Sequence, residues 1–173
     1  MCRTQHACGI ALTSASKAFN LAGLKAALLV TVPRRARKAV DALPALAEHA
    51  GLLGVVASEV AYSEGDAWLD AVLAQLDANR ESLVQLLAEQ IPKLIWTPPQ
   101  ATYLAWLDCR ALGLGDDPAA VFLERGRVAL APGANYGRQS GVGHVRLNFG
   151  TSEELVGEMV RRMAASLDLR RVP

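Results

Sequence analysis

A long amphipathic segment, which begins at Ser63 or Asp66, is the feature that most restricts how this sequence can fold. Its apolar residues recur every three or four positions and therefore share one helical face. Pro92 ends the pattern, because proline cannot continue a helix. We predict one long central helix and a division of the chain near residue 65. The residues of the predicted apolar face are Trp68, Leu69, Val72, Leu73, Leu76, Leu83, Leu86, Leu87 and Ile91.

Short apolar runs flank this helix on both sides and predict β-strands. The two runs before it, 9–13 and 26–32, are continuous and are bounded by chain-breaking residues. We therefore predict that they form buried strands of a parallel sheet. The runs after the helix are 102–107, 128–131 and 145–149. Because helical segments alternate with these runs, the sequence predicts an α/β fold.

The remaining helices are predicted from capping and breaking residues. Asp117 followed by Pro118 is typical of an N-cap and a first helical turn, and 151–154 (TSEE) is a capping sequence. The last helix is predicted to end near Leu167. The segment 133–143 contains four glycines and predicts a loop. Other predicted helices are 33–49, with a break at Pro44, and 55–62.

The composition argues against several classes of protein. Hydrophobic residues make up 51% of the 173 residues, which is typical of a folded chain. The net charge is only +1, so we predict no nucleic-acid partner and interpret the basic cluster at 34–38 as a solvated helix face. The longest apolar run, 26–32, is too short to cross a membrane. Three unevenly spaced cysteines predict no disulfide framework and indicate the cytoplasm.

Neither a metal site nor a nucleotide-binding loop is predicted. Cys2, His6 and Cys8 are of metal-ligating types, but a fourth ligand is missing. The loop 133–137 (GANYG) matches neither the phosphate-binding sequence G-x-x-x-x-G-K-[ST] nor the dinucleotide-binding sequence G-x-G-x-x-G. The polar segment that follows the first strand is therefore the remaining candidate for a reactive site.

This polar segment, 13–25 (TSASKAFNLAGLK), combines two hydroxyl groups with a lysine. Hydroxyls such as those of Ser14 and Ser16 can hold a phosphate dianion together with backbone N–H groups. A lysine at a strand end, such as Lys17, suits Schiff-base chemistry with a carbonyl compound. From these residues alone, a polar turn with a surface lysine remains the favoured interpretation.

Four separated segments resemble one family of enzymes. SASKAFNLAGLK is similar to the lysine loop of class I/II aminotransferase-like enzymes that use pyridoxal 5′-phosphate (PLP), above all their C–S β-lyase branch. The other segments follow in the order of that branch: AYSEGDAWLDAVLAQLDANRE, PPQATYLAWLDCRALGL and VALAPGANYGRQSGVGHVRLNFGTS. The resemblance covers nearly the whole chain from about residue 10. It implies the PLP-dependent transferase fold, known as fold type I.

The resemblance also assigns roles to individual residues. Lys17 is implied to bind the aldehyde of PLP as a Schiff base and to be the catalytic base. Ser14, Ser16 and Lys25 are implied to bind the phosphate of PLP. Arg146 is implied to bind the substrate α-carboxylate, a role that suits a guanidinium because its N–H groups meet a carboxylate bidentately.

Two tyrosines and the reaction itself are implied in the same way. Tyr103 and Tyr136 would bind substrate near the mouth of the active site, although Tyr103 fits a core strand equally well. The implied reaction is β-elimination of cystathionine or a related cysteine conjugate to a thiol, pyruvate and ammonia. Transamination of amino acids is the alternative, because the same lysine serves both reactions. The implied assembly is a homodimer that acts on a small amino acid.

The position of the lysine differs from the family pattern. The lysine of the family lies past the middle of the chain, whereas Lys17 lies close to Met1. We therefore expect residues 1–65 to be the remainder of a large PLP-binding domain and residues 66–173 to be a small C-terminal α/β domain. We also expect little or no activity from this chain by itself. A separate N-terminal half as partner and a non-catalytic remnant are the alternatives.

Overall fold

The computed structural model describes residues 9–32, 34–44 and 49–167. The Cys2, His6 and Cys8 trio lies outside these ranges. The chain divides into two compact units, Met1–Val72 and Leu73–Pro173, each of which is described by itself below. The domain boundary predicted near residue 65 stays a prediction.

The elements alternate as the sequence predicts, and their bounds are as follows. The strands are β1 (Gly9–Thr13), β2 (Leu28–Val32), β3 (Leu104–Asp108), β4 (Ala131–Pro132) and β5 (His144–Asn148). The α-helices are α1 (Ala15–Ala18), α2 (Arg34–Asp41), α3 (Leu52–Glu64), α4 (Asp66–Gln90), α5 (Pro118–Gly126) and α6 (Glu153–Ser166). Short 3-10 helices are Ala22–Leu24, Arg110–Leu112 and Gly133–Asn135. In the described part of the chain, no helix has both the length and the apolar composition required to cross a bilayer.

The two strands of the first unit pair antiparallel, with a register that runs from Gly9 opposite Val32 to Thr13 opposite Leu28. The prediction of buried parallel strands was therefore wrong. Leu12 is 75% exposed and Leu28 is 52% exposed. A continuous apolar run indicates that a strand can be buried, but it gives no information about the direction of the strand relative to its neighbour. Burial also requires a second apolar surface that packs against the strand.

Helix α1 occupies a stretch that the sequence predicted to be a polar loop. The buried side chain of Ala15 and the ring of Phe19 hold it against the rest of the first unit. The Phe19 ring lies 5.7 Å from that of Tyr62 on α3 and 6.1 Å from that of Trp68 on α4, measured between centroids. Such aromatic pairs stabilise a single-turn helix that has little stability of its own.

The long central helix is confirmed as α4, which begins at Asp66 and ends at Gln90, two residues before Pro92. Its predicted apolar face is confirmed only in its second half. Leu83 and Leu87 are buried, whereas Trp68 and Leu73 remain about half exposed. The buried half of this face covers the sheet of the second unit.

The second unit contains a three-stranded antiparallel sheet in the order β3-β5-β4. One face of this sheet packs on α4, α5 and α6 through a continuous apolar core. The short strand β4 begins at Ala131, so the predicted strand at 128–131 was wrong in its extent. Fully buried core side chains include Leu83, Leu107, Phe122, Val145, Leu147, Phe149, Val160 and Met163.

The starts of α5 and α6 confirm the predicted capping residues. The carboxylate of Asp117 accepts a hydrogen bond from the backbone N–H of Ala120 at 3.3 Å, and Pro118 occupies the first turn. The hydroxyl of Ser152 accepts one from the N–H of Leu155, also at 3.3 Å. These side chains satisfy N–H groups that a helix start otherwise leaves unpaired.

Candidate active site

Lys17 lies in the last turn of α1, and its side chain is exposed. The packing of Ala15 and Phe19 on either side of it fixes the turn, so that Lys17 faces away from the buried side of α1. No ion pair or hydrogen bond to Lys17 is made by any residue that the structure describes. Its amino group is therefore accessible to a carbonyl compound.

Ser14 and Ser16 flank the buried Ala15 and are themselves partly buried. Ser14 has the extended backbone of an N-cap, with φ of −157° and ψ of 155°, but its hydroxyl makes no capping hydrogen bond. Lys25 follows in the left-handed region with φ of 53°, and its side chain is exposed. Hydroxyl and ammonium groups without a protein partner among the described residues are donors of the kinds that bind a phosphate.

A cleft of about 250 Å³ opens beside Ser14 within the first unit. Its wall is mainly apolar, and Ser58, Glu59 and Tyr62 contribute the polar atoms. The Ser58 hydroxyl already donates to the carbonyl of Gly54 at 2.7 Å, whereas the Ser14 hydroxyl makes no capping hydrogen bond. A mostly apolar cavity with few polar groups is typical of a small-molecule site.

Arg146 lies at the centre of β5, opposite Trp106 on β3 and Ala131 on β4. Its neighbours Val145 and Leu147 are fully buried in the core. Because side chains alternate along a strand, Arg146 therefore lies on the opposite, open face of the sheet. Among the described residues, no carboxylate comes within ion-pair distance of its guanidinium.

An aromatic cluster, formed by Trp106, Tyr136 and His144, lies beside Arg146 on this open face. The guanidinium carbon of Arg146 lies 4.5 Å from the centroid of the Tyr136 ring, which is a cation–π distance. The Trp106 ring meets Tyr136 edge to face at 5.8 Å and stacks on His144 at 5.6 Å. Arg146 is thus bound by an aromatic surface and keeps its hydrogen-bond donors free.

The loop that carries Tyr136 has a base of two glycines in close contact. A Cβ atom added to Gly133 would overlap the carbonyl oxygen of Gly141, and one added to Gly141 would overlap that of Gly133. The N–H of Tyr136 donates to the carbonyl of Gly133 at 2.9 Å, which closes the turn. The position of Tyr136 over Arg146 therefore depends on a base that admits no side chain.

The structure separates Tyr103 from this cluster. Tyr103 packs against the apolar core, and a Cβ atom at Gly150 would lie only 3.2 Å from its ring. Its carbonyl accepts a hydrogen bond from Phe149 at 2.9 Å. Of the residues predicted to bind substrate, the second unit brings together Arg146 and Tyr136 but not Tyr103.

Asp108 lies beside the cluster and is bound by Arg110. The Nε and Nη2 atoms of Arg110 donate to the two carboxylate oxygens of Asp108 at 2.9 and 2.6 Å. These hydrogen bonds lower the pKa of Asp108 to about 2. Nδ1 of His144 lies 2.8 Å from the carbonyl oxygen of Val142, so Nδ1 carries the proton in this arrangement.

Trp106 and His144 are site residues that the sequence reasoning missed. The sequence predicts a core strand for the segment that contains Trp106, and the position of His144 is typical of a packing histidine. Alternation along β3 was the usable signal, because Ala105 and Leu107 are buried and place Trp106 on the other face. The pairing of β3 with β5 joins residues that are 36 to 44 positions apart and has no local signal.

Comparison with known proteins identifies the family. The family described as aminotransferase class I and II matches residues 4–163, which is nearly the whole chain. The chain belongs to this family. Its relatives include a protein of Mycobacterium tuberculosis named "Putative cystathionine beta-lyase", 44% identical over 93% of this chain. Another is the cystathionine beta-lyase PatB of Bacillus subtilis, 37% identical over 88% of this chain.

Solved structures of enzymes that use PLP are also similar to the structure of this chain. The PLP-bound C–S lyase of Staphylococcus hominis matches 94% of this chain with a TM-score of 0.82 and 28% identity. The predicted fold, α/β of fold type I, is therefore confirmed. The chain covers 44% of the M. tuberculosis relative, 40% of PatB and 43% of the S. hominis lyase. It thus spans less than half of the length of these proteins.

Proposed function

We propose that this chain contributes the cofactor lysine and the carboxylate-binding arginine of a PLP-dependent C–S β-lyase that acts on cystathionine or a related cysteine conjugate. The observation that carries the proposal is Arg146, which lies on the Tyr136 ring without a carboxylate partner among the described residues. A cation held in this way fits the α-carboxylate that every amino-acid substrate carries. The names of the M. tuberculosis and B. subtilis relatives support the lyase assignment.

The donor set of the first unit fits PLP. The hydroxyls of Ser14 and Ser16 and the ammonium of Lys25 would hold the phosphate, and Lys17 would bind the aldehyde. Bound PLP supplies an aldehyde that condenses with amines and a ring that accepts the electron pair released when a bond at the substrate Cα breaks. The crystal structure of the S. hominis relative contains PLP.

In the proposed reaction, the residues of this chain bind the substrate and move one proton. The N–H groups of Arg146 hold the two oxygens of the α-carboxylate and thereby orient the Cα–H bond. The Nζ atom of Lys17 accepts the proton from Cα. The thiolate then leaves from Cβ, and water completes the conversion to pyruvate and ammonia.

The location and the partners of the protein are part of the same proposal. We propose a cytoplasmic homodimer that acts on a small amino acid, as the family resemblance implies. Cys109 is a buried free thiol, which agrees with a reducing compartment. We further propose that this chain has little activity by itself, and a separate N-terminal half as partner and a non-catalytic remnant stay the alternatives.

The test measures cofactor binding and product formation by the chain, alone and with the N-terminal half of the B. subtilis relative. We expect the absorbance band of lysine-bound PLP to disappear in Lys17→Ala and to persist in Lys93→Ala, an exposed lysine that serves as control. Arg146→Ala is expected to lower kcat/KM for cystathionine by about 10- to 100-fold, the effect of losing a charged hydrogen-bond pair. PLP binding that survives in Lys17→Ala would contradict the assignment of Lys17.

Transamination is the second candidate, because the family description names aminotransferases. The two reactions differ in their products. A lyase releases thiol, pyruvate and ammonia from cystathionine, whereas an aminotransferase needs a keto acid as second substrate and releases no thiol. Thiol release in the absence of any keto acid therefore decides for the lyase.

A further inference from the structure

The guanidinium carbon of Arg146 lies over the Tyr136 ring, 4.5 Å from its centroid. Among the described residues, no carboxylate forms an ion pair with this guanidinium, which has five N–H donors. The π face attracts the cation and replaces part of the water that would otherwise hydrate it. The contact therefore holds Arg146 in place without using a carboxylate partner.

Trp106 and His144 in turn fix the Tyr136 ring. The edge-to-face contact of Trp106 with Tyr136 and the stacking of Trp106 on His144 form a continuous row of rings along the open face of the sheet. The hydrogen-bond contact between Nδ1 of His144 and the carbonyl of Val142, at 2.8 Å, ties the far end of this row to the backbone. Tyr136 thus contacts Trp106 as well as Arg146.

We infer that Tyr136 is a positioning residue, which holds the Arg146 guanidinium ready for the substrate carboxylate and so sets the affinity for amino acids that carry a free α-carboxylate. The inference rests on the proposed function of Arg146 as the carboxylate-binding residue. A preorganised cation loses less side-chain freedom when the ligand binds. The ring of Tyr136, and not its hydroxyl, performs this role.

The test compares Tyr136→Leu with the conservative variant Tyr136→Phe in the PLP-loaded protein, assayed together with the N-terminal half of the B. subtilis relative. For Tyr136→Leu we expect KM for cystathionine to rise about fivefold while kcat stays within about twofold, as expected for a lost cation–π contact. Tyr136→Phe keeps the ring and is expected to restore KM to within about twofold of the wild-type value. Because Tyr136 is 51% exposed, both variants are expected to fold, and circular dichroism verifies this.

A second readout needs no turnover. In a Trp68→Phe, Trp96→Phe background, the fluorescence of Trp106 reports binding of L-alanine and of L-alaninamide, which lacks the carboxylate. We expect Tyr136→Leu to weaken the binding of L-alanine about fivefold and to leave that of L-alaninamide unchanged. Unchanged binding of L-alanine, or an equal loss for both ligands, would overturn the inference.

The two readouts separate this inference from the proposed function. If the wild-type protein releases no pyruvate but Tyr136→Leu selectively loses L-alanine, the lyase assignment fails and the positioning role stands. If the wild-type protein releases pyruvate and Tyr136→Leu keeps its KM, the lyase assignment stands and the positioning role fails. Equal wild-type affinity for L-alanine and L-alaninamide refutes the positioning role together with carboxylate binding by Arg146.

Discussion

Asp108 and Cys109 are neighbours in the sequence, yet their side chains lie in opposite environments. Asp108 ends strand β3 on the open face of the sheet, where Arg110 binds both of its oxygens. Cys109 is fully buried, and burial, with a smaller contribution from the negative charge of Asp108, raises its pKa to about 12. Two adjacent residues therefore combine a carboxyl group with a lowered pKa and a thiol with a raised pKa.

Asp108→Asn is expected to lower the free energy of unfolding by about 1 kcal/mol at neutral pH, the usual size for an exposed ion pair. The pKa of Asp108 is lowered from 3.8 to about 2 in the folded protein. Its stabilising effect is therefore present above pH 3.8 and is lost as the pH falls through 2. Urea unfolding of both proteins between pH 7 and pH 2 measures the difference.

Arg110→Gln is the matched control for this prediction, because it removes the partner and leaves Asp108 in place. We expect a similar loss of stability at neutral pH, and no further loss when the two substitutions are combined. A difference between wild type and Asp108→Asn that persists unchanged at pH 2 would contradict the ion-pair explanation.

Cys109 is expected to resist alkylation at pH 8 in the folded protein. Only a very small fraction of a thiol with a pKa of about 12 is ionised at that pH, and the thiolate is the reactive form. The measurement uses iodoacetamide on a Cys2→Ser, Cys8→Ser variant, so that Cys109 is the only thiol. Labelling at the same rate with and without urea would show that Cys109 is exposed.

Among the secondary-structure elements, the connection between α4 and the end of β5 depends on one buried amide. The side-chain amide of Asn79 donates to the carbonyls of Phe149 and Thr151 at 3.0 and 2.7 Å, and it accepts from Gln75 at 2.9 Å. Asn79 is fully buried, so its amide is shielded from water and depends on these bonds. The amide fixes the long helix to the turn that leads into α6.

Asn79→Ala is expected to destabilise the second unit by about 2–4 kcal/mol, because one buried and one partly buried hydrogen bond to a backbone carbonyl are lost. Urea unfolding followed by the fluorescence of Trp96 and Trp106 reports this unit. Gln85→Ala, at an exposed position of the same helix, is the control and is expected to change stability by less than about 0.5 kcal/mol. Equal effects of the two substitutions would argue against Asn79 as an anchor.

Local signals in the sequence predicted some of these elements and could not predict others. The starts of α5 and α6 follow from Asp117, Pro118 and Ser152, because a cap and its helix are adjacent in the chain. The contact of Asn79 with Phe149 spans 70 residues and leaves no mark near either residue. The direction of β2 relative to β1 was missed for the same reason. The resemblance predicted Arg146 and Tyr136 as site residues. Their contact with each other could not be predicted, because it depends on how the sheet places them.

For the molecule as a whole, the apolar residues divide unevenly between the two units. Apart from Ala15, every buried core residue among those described belongs to the second unit. In the first unit, large apolar side chains on β1, β2 and α3 are exposed; they include Ile10, Leu12, Leu28, Val30, Leu52 and Leu53. A surface of this kind favours association, because burying it releases ordered water.

Leu12→Lys is therefore expected to reduce self-association of the purified chain. Leu12 is 75% exposed in strand β1, so a lysine there is solvated without loss of packing. Sedimentation velocity at several protein concentrations measures the change. Leu123→Lys is the control, since Leu123 is a 53% exposed leucine of α5 in the second unit, and it is expected to have no effect. Equal effects of the two substitutions would contradict a role for the first unit.

The glycine pair at the base of the Tyr136 loop restricts how this protein can vary. Gly133 and Gly141 each leave no room for a methyl group, so substitution at either position must displace the backbone. Apart from Tyr136 and Gly137, the residues between them, 134–140, are exposed and can change without disturbing the sheet. Substitutions at the tip of the loop can therefore place new side chains beside Arg146. The two glycines keep the backbone at the base of the loop unchanged in every such variant.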